Sequence, residues 1–446
     1  MSAFKAYDIR GIYGRDFGNE EARRIGFYLP ELLHTHKVLI GRDVRVSSPE
    51  IYQALCEGLT SAGATVYDLG ICTTPLVYWA TARCNFEASV MITASHNPPE
   101  YNGMKISGKN ALPVGYENGL KWLEEKIKTP PQPSGAPGSI VPFPKQQEYL
   151  DFLRQSGIYD LDGLKLVIDC SNGMAGLFAR QLFGSQHVYL FEQPDGTFPN
   201  HEPNPLEEKN LAALKEKVIS EKADLGVIFD GDADRVMFVD ETGTFIPPDL
   251  MIALMAHHYA PDGRLQARVL QDIRTSKSVS EYLEEMGAEV HIWKVGRAFA
   301  ARKLREIDGL YGGELAGHYY FRDFYYSDSG LLAALRLLNV MNRFRKQSLT
   351  ASQVVASIKR YHNSGEINFR IEDKDGAMQR VIRYFTSLDE PVKAYDFDGY
   401  RIEFQDWWFN IRPSNTEPYL RFLAEARTAE RLEEVVRQAK KIVEDN

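Results

Sequence analysis

The stretch KVLIGRDVRVSSPEIYQALCEGLTSAGATVYDLGICTTPLVYWATARCNFEASVMITASHNPP, residues 37–99, carries the pattern that decides the fold. Residues 37–40 form a short apolar run that reads as a buried strand leading into Gly41-Arg42-Asp43. Residues 48–62 follow with helical spacing and Pro49 in the first turn, where a missing amide donor is tolerated. Residues 64–69 and 88–93 read as two further strands. Short apolar strands separated by helices predict an α/β unit with a largely parallel sheet. In such sheets ligands gather at loops beyond the carboxyl ends of strands, and Thr93-Ala94-Ser95-His96-Asn97-Pro98 is one such loop.

The same alternation recurs twice downstream. Strands are predicted at 165–169, 188–191 and 224–229, with helices at 174–183 and near 210–222. Strands at 269–272 and 289–295 then flank a helix at 276–286, and a strong helix spans 329–344. TPPQPSGAPGSIVPFP, residues 129–144, reads as a linker or irregular crossing, and PDGTFPNHEPNP, residues 194–205, as a second irregular stretch. From about Gly365 the pattern changes to an alternating strand at 366–371, a hairpin turning at Asp398-Gly399, and an amphipathic C-terminal helix. The expected architecture is three similar α/β domains with mixed, largely parallel sheets, at 1–140, 141–246 and 247–362, plus a smaller α+β domain at 363–446.

The chain has 446 residues, with 61 acidic and 52 basic side chains and a net charge of −9; 44% of residues are hydrophobic and 25% charged. That much apolar surface excludes a disordered chain, and the length suits several domains. The acidic balance argues against a nucleic-acid partner, which needs a basic face for the phosphate backbone. A local cluster of Arg and Lys still leaves room for a small phosphorylated ligand. Cys56, Cys72, Cys84 and Cys170 form no CxxC pair and no zinc-like spacing, which suits a reducing compartment. The start, MSAFKAYDIRG, lacks the apolar core of a signal peptide, and no run approaches the roughly 18 apolar residues of a membrane helix. A cytoplasmic protein with no membrane partner is expected.

The strongest chemical motif is Asp230-Gly231-Asp232-Ala233-Asp234-Arg235, directly after an apolar strand. On an extended strand alternate side chains lie about 7 Å apart, too far to share one cation bound at about 2.1 Å. The chain must therefore curl, and Gly231 and Ala233 are small enough to let it. Three carboxylates then converge on a hard divalent ion, Mg2+ for such an oxygen set, with phosphate or water completing the shell; an acidic surface turn is the bland alternative. Asp230, Asp232, Asp234 and Glu241 also match the ligand spacing of a calcium EF-hand, but Arg235 stands where that loop needs Gly and the flanks read as strands. The EF-hand is excluded.

Ser95 suits a nucleophile, a phosphoryl carrier or a turn cap. It lacks the glycines of a hydrolase elbow, and the neighbouring His96 should point elsewhere, so the two make no obvious catalytic pair. Lys105 is either a solvated charge or, if desolvated, a proton carrier. In Gly312-Gly313-Glu314-Leu315-Ala316-Gly317-His318 the carboxylate suits paired sugar hydroxyls and the ring suits acid/base work, with a plain glycine turn as the alternative. Arg412-Pro413-Ser414-Asn415-Thr416-Glu417-Pro418, followed by Arg421, suits a phosphate cradle or a capped turn between strands.

Together and in this order, the four segments resemble the α-D-phosphohexomutase superfamily, which includes phosphoglucomutases and phosphomannomutases. The resemblance runs from Ala6-Tyr7-Asp8-Ile9-Arg10-Gly11 to the Arg412 loop, nearly the whole chain. It implies four domains in a heart shape around a central cleft, each giving one loop to the active site. It also implies a phosphoserine at Ser95 and Mg2+ on Asp230, Asp232 and Asp234, with a phosphoserine oxygen as a further ligand. Glu314 and His318 would contact the sugar, and Arg412, Ser414, Asn415, Thr416 and Arg421 would hold the non-transferred phosphate. Lys105 and His318 match acid/base residues of the family. Arg235 and Lys105 would neutralise charge, and His96 counts with them and Ser95 among the catalytic residues. Tyr7 and Arg10 would line the cleft entrance, and Arg274 stands where relatives have a lysine able to meet phosphate. Two positions depart from the family: Arg297, after Gly296 in the substrate loop, replaces a frequent histidine, and Ala316 replaces a frequent serine.

Residues 312–330 and 407–425 look like bacterial phosphomannomutases, so the implied substrates are mannose and glucose phosphates, with hexose 1,6-bisphosphate as activator. The enzyme would be a monomer or weak dimer. A phosphoglucosamine mutase is the runner-up. A noncatalytic sugar-phosphate sensor should have lost the serine or the carboxylates, and a phosphatase would pass the phosphoryl group to water.

Overall fold

The computed structural model describes residues 3–133, 135–414 and 419–444. Among them the chain lays down four sheets in succession. The first comprises β1 (Ile9–Ile12), β2 (Lys37–Arg42), β3 (Thr65–Ile71), β4 (Ala88–Ile92), β5 (Tyr101–Gly108) and β6 (Ile140–Pro142), in the order β1-β5-β4-β2-β3-β6. Strands β2, β3, β4 and β6 run parallel because the helices Ser48–Ser61 and Thr74–Arg83 carry the chain back between them, whereas β5 pairs antiparallel with β4 and, on its other side, with β1. Covered on both faces, β4 is buried at every position and shows no polar alternation. Residues 140–142 form a strand where an irregular crossing was predicted. They lie at the sheet edge, where proline's missing donor is tolerated, and they carry the first sheet past the expected division at 140.

The second sheet orders β7 (Leu166–Asp169), β8 (Val188–Leu190), β9 (Leu225–Phe229), β10 (Val236–Asp240) and β11 (Phe245–Ile246) as β11-β10-β9-β7-β8. The helix predicted at 174–183 is instead a 3-10 turn, Met174–Leu177, followed by a short helix, Ala179–Phe183. Gly176 presses on the Glu192 carbonyl, where a Cβ would sit 2.0 Å from the oxygen, so this segment follows its neighbour rather than a regular helical path. The third sheet orders β12 (Arg268–Asp272), β13 (Glu289–Trp293), β14 (Tyr311–Gly313), β15 (Tyr319–Phe321) and β16 (Ser327–Asp328) as β13-β12-β14-β15-β16. Its β13 stops at Trp293 instead of 295 because the Val295 backbone is engaged elsewhere, its N–H by Asp398 and its carbonyl by Tyr7.

The fourth unit is an antiparallel sheet of β17 (His362–Asn363), β18 (Ile367–Phe369), β19 (Lys393–Tyr395), β20 (Tyr400–Glu403), β21 (Trp407–Pro413) and β22 (Leu420–Ala426). The predicted hairpin is present, with Asp398 and Gly399 at φ 57° and 81°, the left-handed pair that a tight two-residue turn requires. Helices Lys374–Leu388 and Ala429–Glu444 cover one face through Val381, Phe385, Val435, Ala439 and Val443.

One apolar core runs from Leu76 and Trp79 of the first unit through Phe229 to Leu332 and Leu337 of the third, whereas the fourth unit has its own core. The seam between third and fourth units is polar. Arg401 Nη1 donates to the carbonyls of Ile273 (2.9 Å) and Thr275 (2.6 Å), and Glu425 Oε2 accepts from Ser276 Oγ (2.8 Å). On the other side of Ser276, its backbone N–H donates to Asp249 Oδ2 at 2.9 Å. Burial, and then the charge of Glu425, push the Asp249 carboxyl up to about 7.

Protonated Asp249 favours the folded state, so its contribution is present below about pH 4 and is lost as pH rises through about 7, by roughly 4 kcal/mol across the whole window. Asp249→Asn cannot ionise and should flatten that part of the profile. The difference in Tm between pH 5 and pH 7.5 should be smaller in the variant than in the parent protein; equal differences in calorimetric scans would contradict this assignment.

Candidate active site

Three of the four predicted loops leave the carboxyl ends of β4, β9 and β14, and the fourth joins β21 to β22. Ser95 sits just beyond β4 with a left-handed backbone, φ 53°, which costs an L side chain about 1 kcal/mol. Its Oγ donates to Asp230 Oδ2 at 2.8 Å, joining the first unit to the second. The approach is close: a Cβ at Gly231 would lie 2.5 Å from the Ser95 carbonyl oxygen, so only glycine fits there. His96, expected to diverge from Ser95, has Nδ1 3.4 Å from the Ser95 Oγ, because the left-handed kink brings the two side chains to one side. Burial, and then the charges of Arg235 and Arg10, hold His96 well below its ordinary value, so its ring is neutral.

The aspartate loop curls as its spacing requires, with Ala233 at φ 63°. One oxygen from each of Asp230, Asp232 and Asp234 lies within 4.8 Å of the others, and all three residues are fully buried. Lys105 is buried too, with Nζ 2.6 Å from Asp232 Oδ2 and 2.5 Å from Asp234 Oδ2. Thr74 Oγ1 also donates to Asp232. Against the cost of burial, Asp232 and Asp234 raise Lys105 above its ordinary value and keep it charged. Burial, and then Asp234 and Asp232, raise Asp230 well above the usual carboxylate range. The Oδ1 atoms of Asp232 and Asp234 are buried with no hydrogen-bond partner among the described residues. Orphaned carboxylate oxygens are costly, and an all-oxygen, buried, acidic donor set with free lone pairs fits a small divalent cation. Glu241, the fourth EF-hand position, is engaged elsewhere with Ser352.

Arg235 reaches from this loop to the third unit, where its Nε donates to His318 Nε2 at 2.9 Å. A guanidinium N–H only donates, so Nε2 accepts and the His318 proton resides on Nδ1, which lies 2.7 Å from Asp328 Oδ2. The other oxygen of Asp328 accepts from Arg297 Nε at 3.1 Å, and the Arg297 guanidinium stacks 3.6 Å over the Tyr78 ring. Arg297 is thus drawn to Asp328 and the first unit, while Glu314 is held by Gly296 N (3.2 Å) and Tyr320 OH (2.5 Å). Burial raises the Glu314 carboxyl.

The cationic end of the site is more dispersed. Arg274 is bound to Asp272 (Nη2 to Oδ2, 2.9 Å), Arg412 lies 3.6 Å from Asp398, and Arg421 lies 2.9 Å from Glu366. Burial, and then the Arg274 charge, lower Arg412, the electrostatic state that an anion between two arginines would relieve. Ser414 N donates to the Tyr419 carbonyl, while Asn415 and Thr416 lie outside the described residues. Tyr7 OH donates to the Val295 carbonyl (3.0 Å), beside Gly296, and Arg10 Nη1 donates to Asn97 Oδ1 (2.8 Å) on the serine loop. Sequence reading missed Arg45, Asp328 and Asp398. Arg45 left a trace, since it follows the carboxyl end of β2 on the same sheet edge as Ser95.

Strand-end loops of separate α/β units meeting over a buried carboxylate triad, with a hydroxyl seated on one aspartate, define a multidomain enzyme of the phosphoryl-transfer type. Comparison with known proteins gives the family. Profiles described as phosphoglucomutase/phosphomannomutase alpha/beta/alpha domains I, II and III match residues 1–133, 147–243 and 247–361, and the C-terminal domain profile matches 366–442. Phosphohexose mutases of Xanthomonas campestris are 36% identical over 435 residues, covering 96% of this chain and 95% of the relative. The phosphomannomutase of Salmonella typhimurium is 36% identical over 440 residues, again covering 96% and 95%. A crystal structure of a phosphoglucomutase/phosphomannomutase family protein from Burkholderia thailandensis superimposes with a TM-score of 0.88 at 30% identity, covering 99% of this chain and 97% of that one. The chain belongs to the phosphoglucomutase/phosphomannomutase family and is an isomerase of the phosphohexomutase kind. No helix among the described residues is long and apolar enough to cross a membrane.

Proposed function

We propose that the protein interconverts hexose 1-phosphates and hexose 6-phosphates, of mannose and also of glucose, through a phosphorylated Ser95 and a hexose 1,6-bisphosphate that reorients in the cleft. The observation that carries this reading is the Ser95 hydroxyl seated 2.8 Å from Asp230 at the edge of the buried carboxylate triad. In the first half-reaction the bond from phosphorus to Ser95 Oγ breaks as one to a sugar hydroxyl oxygen forms, and the proton lost by that hydroxyl balances the one regained by Ser95 Oγ. His318 suits proton transfer, because Asp328 holds its Nδ1–H and the Nε2 lone pair, which accepts from Arg235 Nε, is passed to a sugar hydroxyl when Arg235 turns to a phosphoryl oxygen. Arg235 and Lys105 supply fixed positive charge where phosphoryl oxygens would gather. Asp230, Asp232 and Asp234 would hold Mg2+, which when bound supplies charge neutralisation at the phosphoryl group. Glu314 presents carboxylate oxygens suited to two adjacent sugar hydroxyls, and Arg274, Arg412 and Arg421 suit the non-transferred phosphate. Within this reading the enzyme works in the cytoplasm as a monomer or weak dimer.

The test is a set of coupled assays on mannose 1-phosphate, glucose 1-phosphate and glucosamine 1-phosphate, with Mg2+ and a catalytic amount of hexose 1,6-bisphosphate. Mannose and glucose phosphates should isomerise without release of inorganic phosphate. Isomerisation of neither would overturn the proposal, a clear preference for glucosamine would favour the aminosugar mutase, and phosphate release without isomer would favour a phosphatase.

A further inference from the structure

Arg45 lies between β2 and the helix Ser48–Ser61, and its side chain is completely buried. The guanidinium sits under the serine loop. Nη2 donates to the carbonyls of Ser95 (2.9 Å) and Asn97 (2.6 Å), and Nη1 donates to those of Pro98 (2.6 Å) and Tyr101 (2.9 Å). All four Nη hydrogens are therefore committed to carbonyls of one short segment. Asp43 fixes the arginine from behind: its Oδ2 is 3.2 Å from Nε, and its Oδ1 accepts from Arg45 N (3.0 Å) and Ser48 Oγ (2.6 Å). The irregular stretch 194–205 of the second unit closes the other side, with the Phe198 ring 5.0 Å from the guanidinium carbon and Gly196 against the Arg45 backbone.

We propose that Arg45 is the positioning residue of the phosphoryl-carrying loop. This rests on the reading of Ser95 as carrier. Arg45 touches neither substrate nor reacting atoms; it holds the carbonyl of Ser95 and three neighbouring carbonyls. It thereby stabilises the left-handed backbone that aims the Ser95 Oγ at Asp230. Of the four carbonyls turned inward, that of Pro98 also accepts from Tyr101 N at 3.1 Å, and a planar fork can meet all four at once. Lysine, with three hydrogens on one atom, cannot span them. The irregular stretch from the second unit also gains a purpose, because Phe198 seats the guanidinium from the same unit that supplies Asp230.

Arg45→Lys and Arg45→Met test this through three readouts: thermal melting, the split between kcat and KM, and the rate at which hexose 1,6-bisphosphate charges Ser95, followed by intact mass. Arg45→Lys should melt cooperatively, charge Ser95 slowly and lose about 10²-fold in kcat, the scale of a misplaced reacting group, with KM for hexose 1-phosphate nearly unchanged. Arg45→Met should be at least as slow if it folds, and Arg45→Lys decides the matter if it does not. Parental charging rate and kcat in either folded variant would overturn the proposal, as would a defect confined to KM. If the parent protein isomerises hexose phosphates without ever carrying phosphate on Ser95, the carrier reading itself fails, and this proposal fails with it.

Discussion

Ser95→Ala is expected to lose turnover by about 10⁴-fold or more while keeping its fold. The hydroxyl is the atom the proposed phosphoryl group must occupy, and no neighbouring side chain can replace it in place. His96 is neutral but carries its nearest ring nitrogen 3.4 Å away, and Asp230 is wedged among two other carboxylates. The structural cost is small by comparison. Two contacts of Ser95 Oγ disappear, the hydrogen bond to Asp230 and the 3.4 Å approach of His96 Nδ1, at a cost of about 1–3 kcal/mol, and alanine fills no new space. Coupled assays and melting curves on the same preparation separate the two effects. A variant that isomerises at the parental rate would remove Ser95 from the chemistry.

The second large effect is expected at Asp230→Asn, where activity and stability should move in opposite directions. Burial and two like charges raise Asp230, so its charged form carries a cost that an amide would relieve. Metal-free protein should therefore melt no lower after the substitution, since Asn still offers Ser95 an acceptor. What the variant loses is one of three anionic oxygens for a cation. The parent protein should gain about 2.7 kcal/mol at Mg2+ near 100 times its Kd, and this gain should shrink or vanish in the variant. Turnover should drop by about 10³-fold, as expected when preorganised charge at a transferring phosphoryl group is removed. Parental turnover, or an undiminished Mg2+-dependent rise in Tm, would contradict the assignment of Asp230.

Much of this was legible because strand and loop signals coincide. β2, β4 and β9 are short apolar runs, and the motif-bearing loops at Ser95 and Asp230 follow β4 and β9 directly. The curl of the aspartate loop followed from bond lengths alone. What stayed hidden acts across the fold rather than along the chain. Arg45 reads as one charge in a polar run, and only the folding of β4 and β5 around it turns four carbonyls toward its guanidinium. Asp328 sits in a two-residue strand that no periodicity reveals, yet it fixes the proton of His318 and draws Arg297 away from Glu314. Residues 140–142 escaped because proline and glycine mark irregular chain in general, and an edge position is the exception. Asp398 was read as a hairpin turn, which it is, but the turn also grips Val295 of the third unit and neighbours Arg412.

The most direct test of the account follows the phosphoryl group itself. The protein is incubated with Mg2+ and hexose 1,6-bisphosphate, freed of sugar, digested, and the modified peptide is sequenced by mass spectrometry before and after a chase with mannose 6-phosphate. A single phosphoryl group is expected on Ser95, disappearing in the chase and reappearing in mannose 1,6-bisphosphate. Isomerisation with an unmodified Ser95, or a phosphoryl group lodged on another residue, would contradict it.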